Sequence, residues 1–302
     1  MWSLVPFIGM VRFGASLICA AQFAALAGGA AMWQAPRWPG RVAVKERPAV
    51  KLEELTEVPF VAPWERRIIL CRHGHVAREA ADLQENAFYG GNFDVPLSAG
   101  GDADMRAVAE YIASQHYSEA AATVFASPTA AVSGSLLQRA LAPRVVGGVR
   151  LVQSDLLAEV DRGRWANLTA AEVRRRWGDD SYERWALDDD YGARECGGEG
   201  MGDVRARALA VRDLVLERTL PGTASVICTH LWVARQILAD AVGVEDGGLC
   251  IDVPYASISL LDFPDTAWPS TRANRDLPYV RLLGCVPADA AGDTVGMHRK
   301  GR

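Results

Sequence analysis

Arg67-Ile68-Ile69-Leu70-Cys71-Arg72-His73-Gly74 is the stretch on which the reading of this 302-residue chain turns. Its short apolar run, with charge before it and a glycine after it, has the length and flanks of a buried strand. An unbroken apolar run means that both faces of the strand are covered, the habit of parallel sheets. Ala122-Thr123-Val124-Phe125-Ala126 and Ser225-Val226-Ile227-Cys228 read the same way. His73 falls just past the first of these strands and His230 just past the third. In an open parallel sheet, ligands bind beyond the carboxyl ends of the strands. One histidine in such a place is an ordinary structural feature. Two at equivalent places, one beside Arg72, make a candidate site.

Working outward, residues 98–112 show helical periodicity, with Met105, Val108, Ala109 and Ile112 on one side. Residues 129–141 read as a helix stopped before Pro143. Thr169-Ala170-Ala171-Glu172 has the spacing of a capping box, where hydroxyl and carboxylate satisfy free amides at a helix start. Residues 203–220 form the strongest predicted helix, ended by Pro221-Gly222. A helix over 233–242 and late strands over 258–261 and 279–283 complete the pattern. Strands alternating with helices predict an α/β three-layer sandwich, a mostly parallel central sheet with helices on both faces. At its strand ends an imidazole can attack phosphorus, and a guanidinium can hold anionic oxygens through paired charge-assisted hydrogen bonds.

Arg72-His73-Gly74 resembles the first motif of the histidine phosphatase superfamily, whose members are phosphoglycerate-mutase-like. Gly91 to Gly101, through Asp94, Pro96, Leu97 and Ser98, resembles its Gly-x-x-Asp-x-Pro-Leu-Ser/Thr-x-x-Gly element. Leu157 to Trp165 resembles its Leu-x-Glu-x-x-x-Gly-x-Trp element, which places Glu159 at the acid position. Gly197-Gly198-Glu199 and Ile227-Cys228-Thr229-His230, with Arg235 following, echo two more. The resemblance runs over residues 66–283. It implies His73 as the nucleophile that takes the phosphoryl group, Arg72 and His230 as binders of the phosphate oxygens, and Glu159 as the proton donor to the leaving group. It implies no metal and no organic cofactor.

Two departures stand out. The family's second phosphate arginine belongs to a Ser-Pro-x-x-Arg-Ala-x-Gln-Thr-Ala element, but here Ser127-Pro128-Thr129-Ala130 is followed by Ala131. Arg139 is no substitute, because eight further helical residues carry it about 12 Å along the axis. After His230 the family has glycine, whereas this chain has Leu231 and Trp232, whose bulk is expected to intrude on the pocket. Losing one preorganised donor to developing charge lowers a rate by about 10²–10³.

Composition adds bounds. The chain is 50% apolar and 23% charged, with a formal net charge of -5, so it can bury a sizeable core and lacks the basic balance of a nucleic-acid binder. Its 6 cysteines are scattered without a Cys-x-x-Cys pair, which suggests neither a zinc site nor a disulfide framework. No charged residue occurs over 13–33, a stretch rich in Ala and Gly with Gln22 in its middle. That is long enough to span a bilayer, and its small residues would allow close approach to another membrane helix. A cleaved leader and a buried helix are the other readings; the one carried forward is a single membrane anchor. The expected organisation is therefore 1–33 anchor, 34–65 linker or arm, 66–285 globular domain and 286–302 polar tail. Ala131, Leu231, Trp232 and the anchor together favour a degenerate domain kept as an accessory subunit of a mitochondrial inner-membrane complex, with other membrane subunits as partners. The alternative is an active phosphatase acting on a phosphorylated small molecule or phosphoprotein through His73.

Overall fold

The computed structural model describes residues 61, 65–91, 93–115, 121–244, 251–264 and 278–287. Each predicted apolar run becomes a strand: β1 (Glu65–Arg72), β2 (Ala121–Ala126), β4 (Ala224–Thr229), β5 (Ile258–Pro264) and β6 (Tyr279–Cys285). A short strand that periodicity does not announce, β3 (Arg150–Gln153), forms the outer edge. The sheet order is β3-β2-β4-β1-β5-β6. The pairs β1/β4, β2/β4 and β2/β3 are parallel, while β1/β5 and β5/β6 are antiparallel. The sheet is thus mixed, parallel where it carries the histidines and antiparallel at the far edge.

The two sides of β1 feed two cores. Ile68 and Leu70 pack with Phe125, Ile227 and Leu261 beneath helices α5 (Met201–Arg218) and α6 (Leu231–Val242). Ile69 and Cys71 pack with Val124, Val226 and Leu260 beneath α1 (Ala99–Ser114) and α2 (Ala131–Leu141). Helices therefore cover both faces, as predicted. The free, buried Cys71 and Cys228 serve as small hydrophobes in the second core.

Helix starts follow the capping chemistry. At α1 the Gly101 amide donates to Ser98 Oγ (3.0 Å). At α3 (Ala170–Trp177) the Thr169 amide donates to Glu172 Oε2 (2.8 Å) and the Glu172 amide donates back to Thr169 Oγ1 (3.3 Å). Helix α6 begins at Leu231, two residues earlier than periodicity suggests, with His230 as its N-cap residue. Trp232 already belongs to its buried face, so the apolar stripe begins within the first turn. A short helix α4 (Ser181–Leu187) was not predicted.

The anchor expected at 13–33 and most of the linker and tail lie outside the described residues. Among the described residues, no helix is long and apolar enough to cross a membrane.

The loop leaving β1 lies directly on the start of α1. A Cβ on Gly101 would sit 2.0 Å from the His75 carbonyl oxygen, and one on Gly74 would sit 2.3 Å from the Gly101 carbonyl oxygen. The Ser98 amide closes this contact by donating to the His75 carbonyl (2.9 Å). Gly101→Ala is expected to destabilise the fold by on the order of 1–3 kcal/mol, the range of an overpacked core. A urea-melt midpoint equal to that of the parent protein would contradict this.

Candidate active site

Parallel pairing of β1 and β4 sets Arg72 opposite Thr229, and the His73 amide donates to the Thr229 carbonyl (3.0 Å). The next side chains on the two strands are His73 and His230, so their rings meet with centroids 4.6 Å apart. Each residue is 3% exposed. His73 Nδ1 lies 2.7 Å from the Gly74 carbonyl oxygen. A carbonyl can only accept, so Nδ1 carries the proton and the lone pair sits on Nε2, which is buried and has no partner. His230 is oriented the other way. Its Nε2 faces Ser127 Oγ (2.9 Å) and Thr129 Oγ1 (3.1 Å), and its buried Nδ1 is unpartnered.

Both rings are held neutral. Burial pushes His73 well below the usual histidine range, helped by the nearby His230 and Arg72. Burial lowers His230 from 6.5 to about 3, helped by Arg72 and Arg207. Arg72 donates from Nη1 to the Val253 carbonyl (2.6 Å), stacks 3.7 Å over the Tyr255 ring, and keeps Nε buried and unpartnered. Among the described residues it forms no ion pair with Glu159 or Glu199.

Glu159 is 8% exposed, and its Oε1 accepts from the amides of Val160 (2.9 Å) and Trp232 (3.3 Å). The loop around it is clamped by the Gly-Gly-Glu element. Glu199 receives both Arg207 Nε (2.6 Å) and Nη2 (2.9 Å) and also takes the Asp161 amide (2.9 Å). Arg207 Nη1 in turn donates to the Leu156 (2.9 Å) and Ala158 (2.7 Å) carbonyls. Thr229 Oγ1 donates to the Leu157 carbonyl (2.7 Å), tying the end of β4 to the same loop. The expectation that Trp232 would crowd the pocket is corrected. Its ring is 2% exposed and packs edge-to-face on Trp185 at 4.9 Å within the core under α5 and α6, and the glycine position is an ordinary first helical turn that any residue accepts.

Ala131 opens α2 beside His73. A cavity of about 120 Å³ there is lined by His73, Asp94, Pro128, Thr129, Ala131 and Val132. Arg139, in the last turn of α2, is exposed and replaces nothing. The structure therefore brings together the predicted Arg72, His73, Glu159 and His230. Sequence reasoning missed Ser127, Thr129, Tyr255 and Arg207. Ser127 and Thr129 were within reach, as hydroxyl residues of the Ser-Pro element; Tyr255 carries no local signal.

The family whose sequence model matches the chain is the histidine phosphatase superfamily (branch 1), over residues 68–276. The bifunctional protein Rv2228c of Mycobacterium tuberculosis is 29% identical over 236 residues, which is 74% of this chain and 59% of that protein. The chain thus spans little more than half the length of the curated relative it matches. Among solved structures, one described as mycobacterial hydrolase 2 superposes with a TM-score of 0.58 at 19% identity, covering 78% of this chain and 96% of that one. The mycobacterial glucosyl-3-phosphoglycerate phosphatase Rv2419c superposes with a TM-score of 0.57 at 19% identity, covering 73% and 99%. With the motifs in order, the histidines face to face and the family match spanning most of the chain, this protein belongs to the histidine phosphatase superfamily, branch 1.

Proposed function

We propose that this chain is a phosphomonoester phosphatase that works through a phosphohistidine on His73, with a phosphate pocket weakened at Ala131. The observation that carries this reading is the free, buried Nε2 of a neutral His73, with the free Nδ1 of His230 beside it. The Nε2 lone pair attacks phosphorus, and the bond to the leaving oxygen breaks as the Glu159 carboxyl gives that oxygen its proton. Water then attacks the phosphohistidine, Glu159 takes a proton from it, and inorganic phosphate leaves. Arg72 Nε, the Arg72 charge and the start of α6 face the phosphoryl oxygens, since a helix N-terminus adds amides and partial positive charge for an anion.

A second reading, a degenerate domain serving as an accessory subunit of a membrane-protein complex, is favoured by Ala131 and predicts no turnover. Full-length protein assayed on an aryl phosphate separates the two. Turnover is expected in the parent and at least 10²-fold less in His73→Ala. Ala131→Arg is expected to raise kcat/KM by about 10²–10³, the usual worth of one preorganised donor. Parent turnover no higher than that of His73→Ala would rule out the phosphatase reading.

Glu159→Gln separates acid assistance from binding. An alkyl phosphate, whose leaving oxygen needs a proton, is expected to lose about 10²–10⁴ in kcat, and an activated nitrophenyl ester much less. Equal losses on both esters would remove Glu159 from the role of acid.

Protonation can be read by NMR. Because both folded-state values are lowered, the rings are expected to stay neutral through the usual histidine range in the free protein, and His73 to show the Nδ1–H tautomer. The unfolded chain takes up the His230 proton near 6.5, so this residue favours folding above that pH. Its contribution declines as pH falls from 6.5 towards about 3. A ring titration midpoint near 6.5 in the folded protein would contradict the assignment.

A further inference from the structure

The loop that enters β5 grips the end of β1 through backbone and side chain alike. The Ala256 amide donates to the His73 carbonyl (3.1 Å), and the Arg72 amide donates to the Ser257 carbonyl (3.0 Å). Arg72 Nη1 donates to the Val253 carbonyl (2.6 Å), and the guanidinium lies 3.7 Å over the centroid of the Tyr255 ring. The same ring meets His73 edge-to-face at 5.4 Å and His75 at 5.2 Å. One half-buried tyrosine thus touches Arg72, His73 and His75 together. Its hydroxyl is hydrogen-bonded to that of Tyr89, whose phenol burial pushes well above its usual range.

The backbone that presents Tyr255 is strained. Ala256 is fully buried with a φ of 52°, in the left-handed region that residues with a Cβ rarely adopt. Such a conformation costs free energy and persists only where its surroundings over-determine it, as they do at functional sites. What the strain secures here is the ring against Arg72. A guanidinium held by one carbonyl can still turn about that contact, so the hydrogen bond to Val253 does not fix its plane. A ring face beneath it does, through cation–π attraction and stacking. Nε, buried and without a partner, then lies on an edge that the ring leaves free for an anion. With alanine at position 131, stabilisation of that anion falls more heavily on Arg72.

We infer that Tyr255 is a positioning residue: its ring holds the Arg72 guanidinium in the plane that turns Nε towards a bound phosphoryl group, and Tyr89 holds the ring. Tyr255 acts through Arg72 and takes no part in bond making. This deepens the phosphatase reading and rests on it for the identity of the anion. A residue that only filled space would change stability alone, whereas a positioning residue is coupled to Arg72.

The test is a double-mutant cycle on the full-length protein, read by calorimetric titration with inorganic phosphate, which needs no turnover. Tyr255→Leu removes the ring face and is expected to weaken phosphate binding about threefold to thirtyfold, the range of a desolvated cation–π contact. Tyr255→Phe keeps the face and is expected to keep most of the affinity. On an Arg72→Lys background, Tyr255→Leu is expected to cost under about twofold, because the two residues act as one unit. Equal losses on both backgrounds would overturn the inference. Should Tyr255→Leu fail to fold, nitrogen-15 NMR of the parent protein decides. The Arg72 Nε–H signal, identified by its loss in Arg72→Lys, is expected upfield of the other arginine signals because of the ring beneath it, and to move when phosphate is added. A signal at the ordinary arginine position, or one indifferent to phosphate, would equally sink the idea. Coupling seen with phosphate but no hydrolysis of any ester would leave the role of Tyr255 standing and remove the phosphatase reading. Hydrolysis without coupling would do the reverse.

Discussion

The parallel pairing of β1 with β4 is the constraint from which the site follows. Arg72 is fixed opposite Thr229, and one step beyond the pairing the two imidazoles have no choice but to meet. A slip of one residue would turn every side chain of β1 to the other face and bury His73 among aliphatic groups. Register is secured on both sides of β1. Towards β4 it is held by the two interdigitating apolar cores. Towards β5 it is held by the fully buried Arg67–Asp262 pair, a bidentate contact between residues directly across the ladder, to which Arg281 of β6 adds a second guanidinium at 2.8 Å. A buried ion pair adds little net stability against an apolar replacement, but it penalises any register that leaves one partner alone.

Glu159 is held in place by a separate device. Glu159 stands on a loop without regular structure, and loops hold position only as well as their anchors. Here the anchors come from three elements: Glu199 from the turn before α5, Arg207 from α5 itself and Thr229 from the end of β4. Because Thr229 belongs to the strand that carries His230, the Glu159 loop is referenced to the same strand end as the histidines. The glycines of the motif serve this fit. A Cβ on either Gly163 or Gly198 would come within 2.6 Å of the other's amide nitrogen, so only glycines let the Glu159 loop and the Gly-Gly-Glu turn touch.

Legibility in the sequence followed the range of the interaction. Central strands and long helices were readable because burial on two faces, or on one stripe, imprints a local period; the capping box of α3 was readable because its partners are three residues apart. The strand β3 was not, since Arg150-Leu151-Val152-Gln153 is a short half-exposed edge with too few residues to show a period. Nor could apolar runs alone reveal that β5 and β6 run antiparallel, because the runs at 258–261 and 279–283 look alike in either direction. At the site, Arg72, His73, Glu159 and His230 were legible through motif resemblance. Arg207 and Tyr255 were not, because each acts on partners far along the chain and looks locally like any helix-surface arginine or loop tyrosine. Trp232 was misjudged for a related reason: bulk was counted, but the direction in which α6 aims it, into the core against Trp185, is a property of the packed helix.

Ala131 separates two requirements that a phosphate pocket usually meets with the same residues. A nucleophilic imidazole must be neutral with a free nitrogen. An in-line transfer must also have its developing negative charge stabilised. In this chain the leading cause of His73's neutrality is burial, and cations only reinforce it. On the phosphatase reading proposed above, alanine at position 131 therefore leaves the neutral His73 with its free nitrogen and removes only stabilisation of the phosphoryl oxygens.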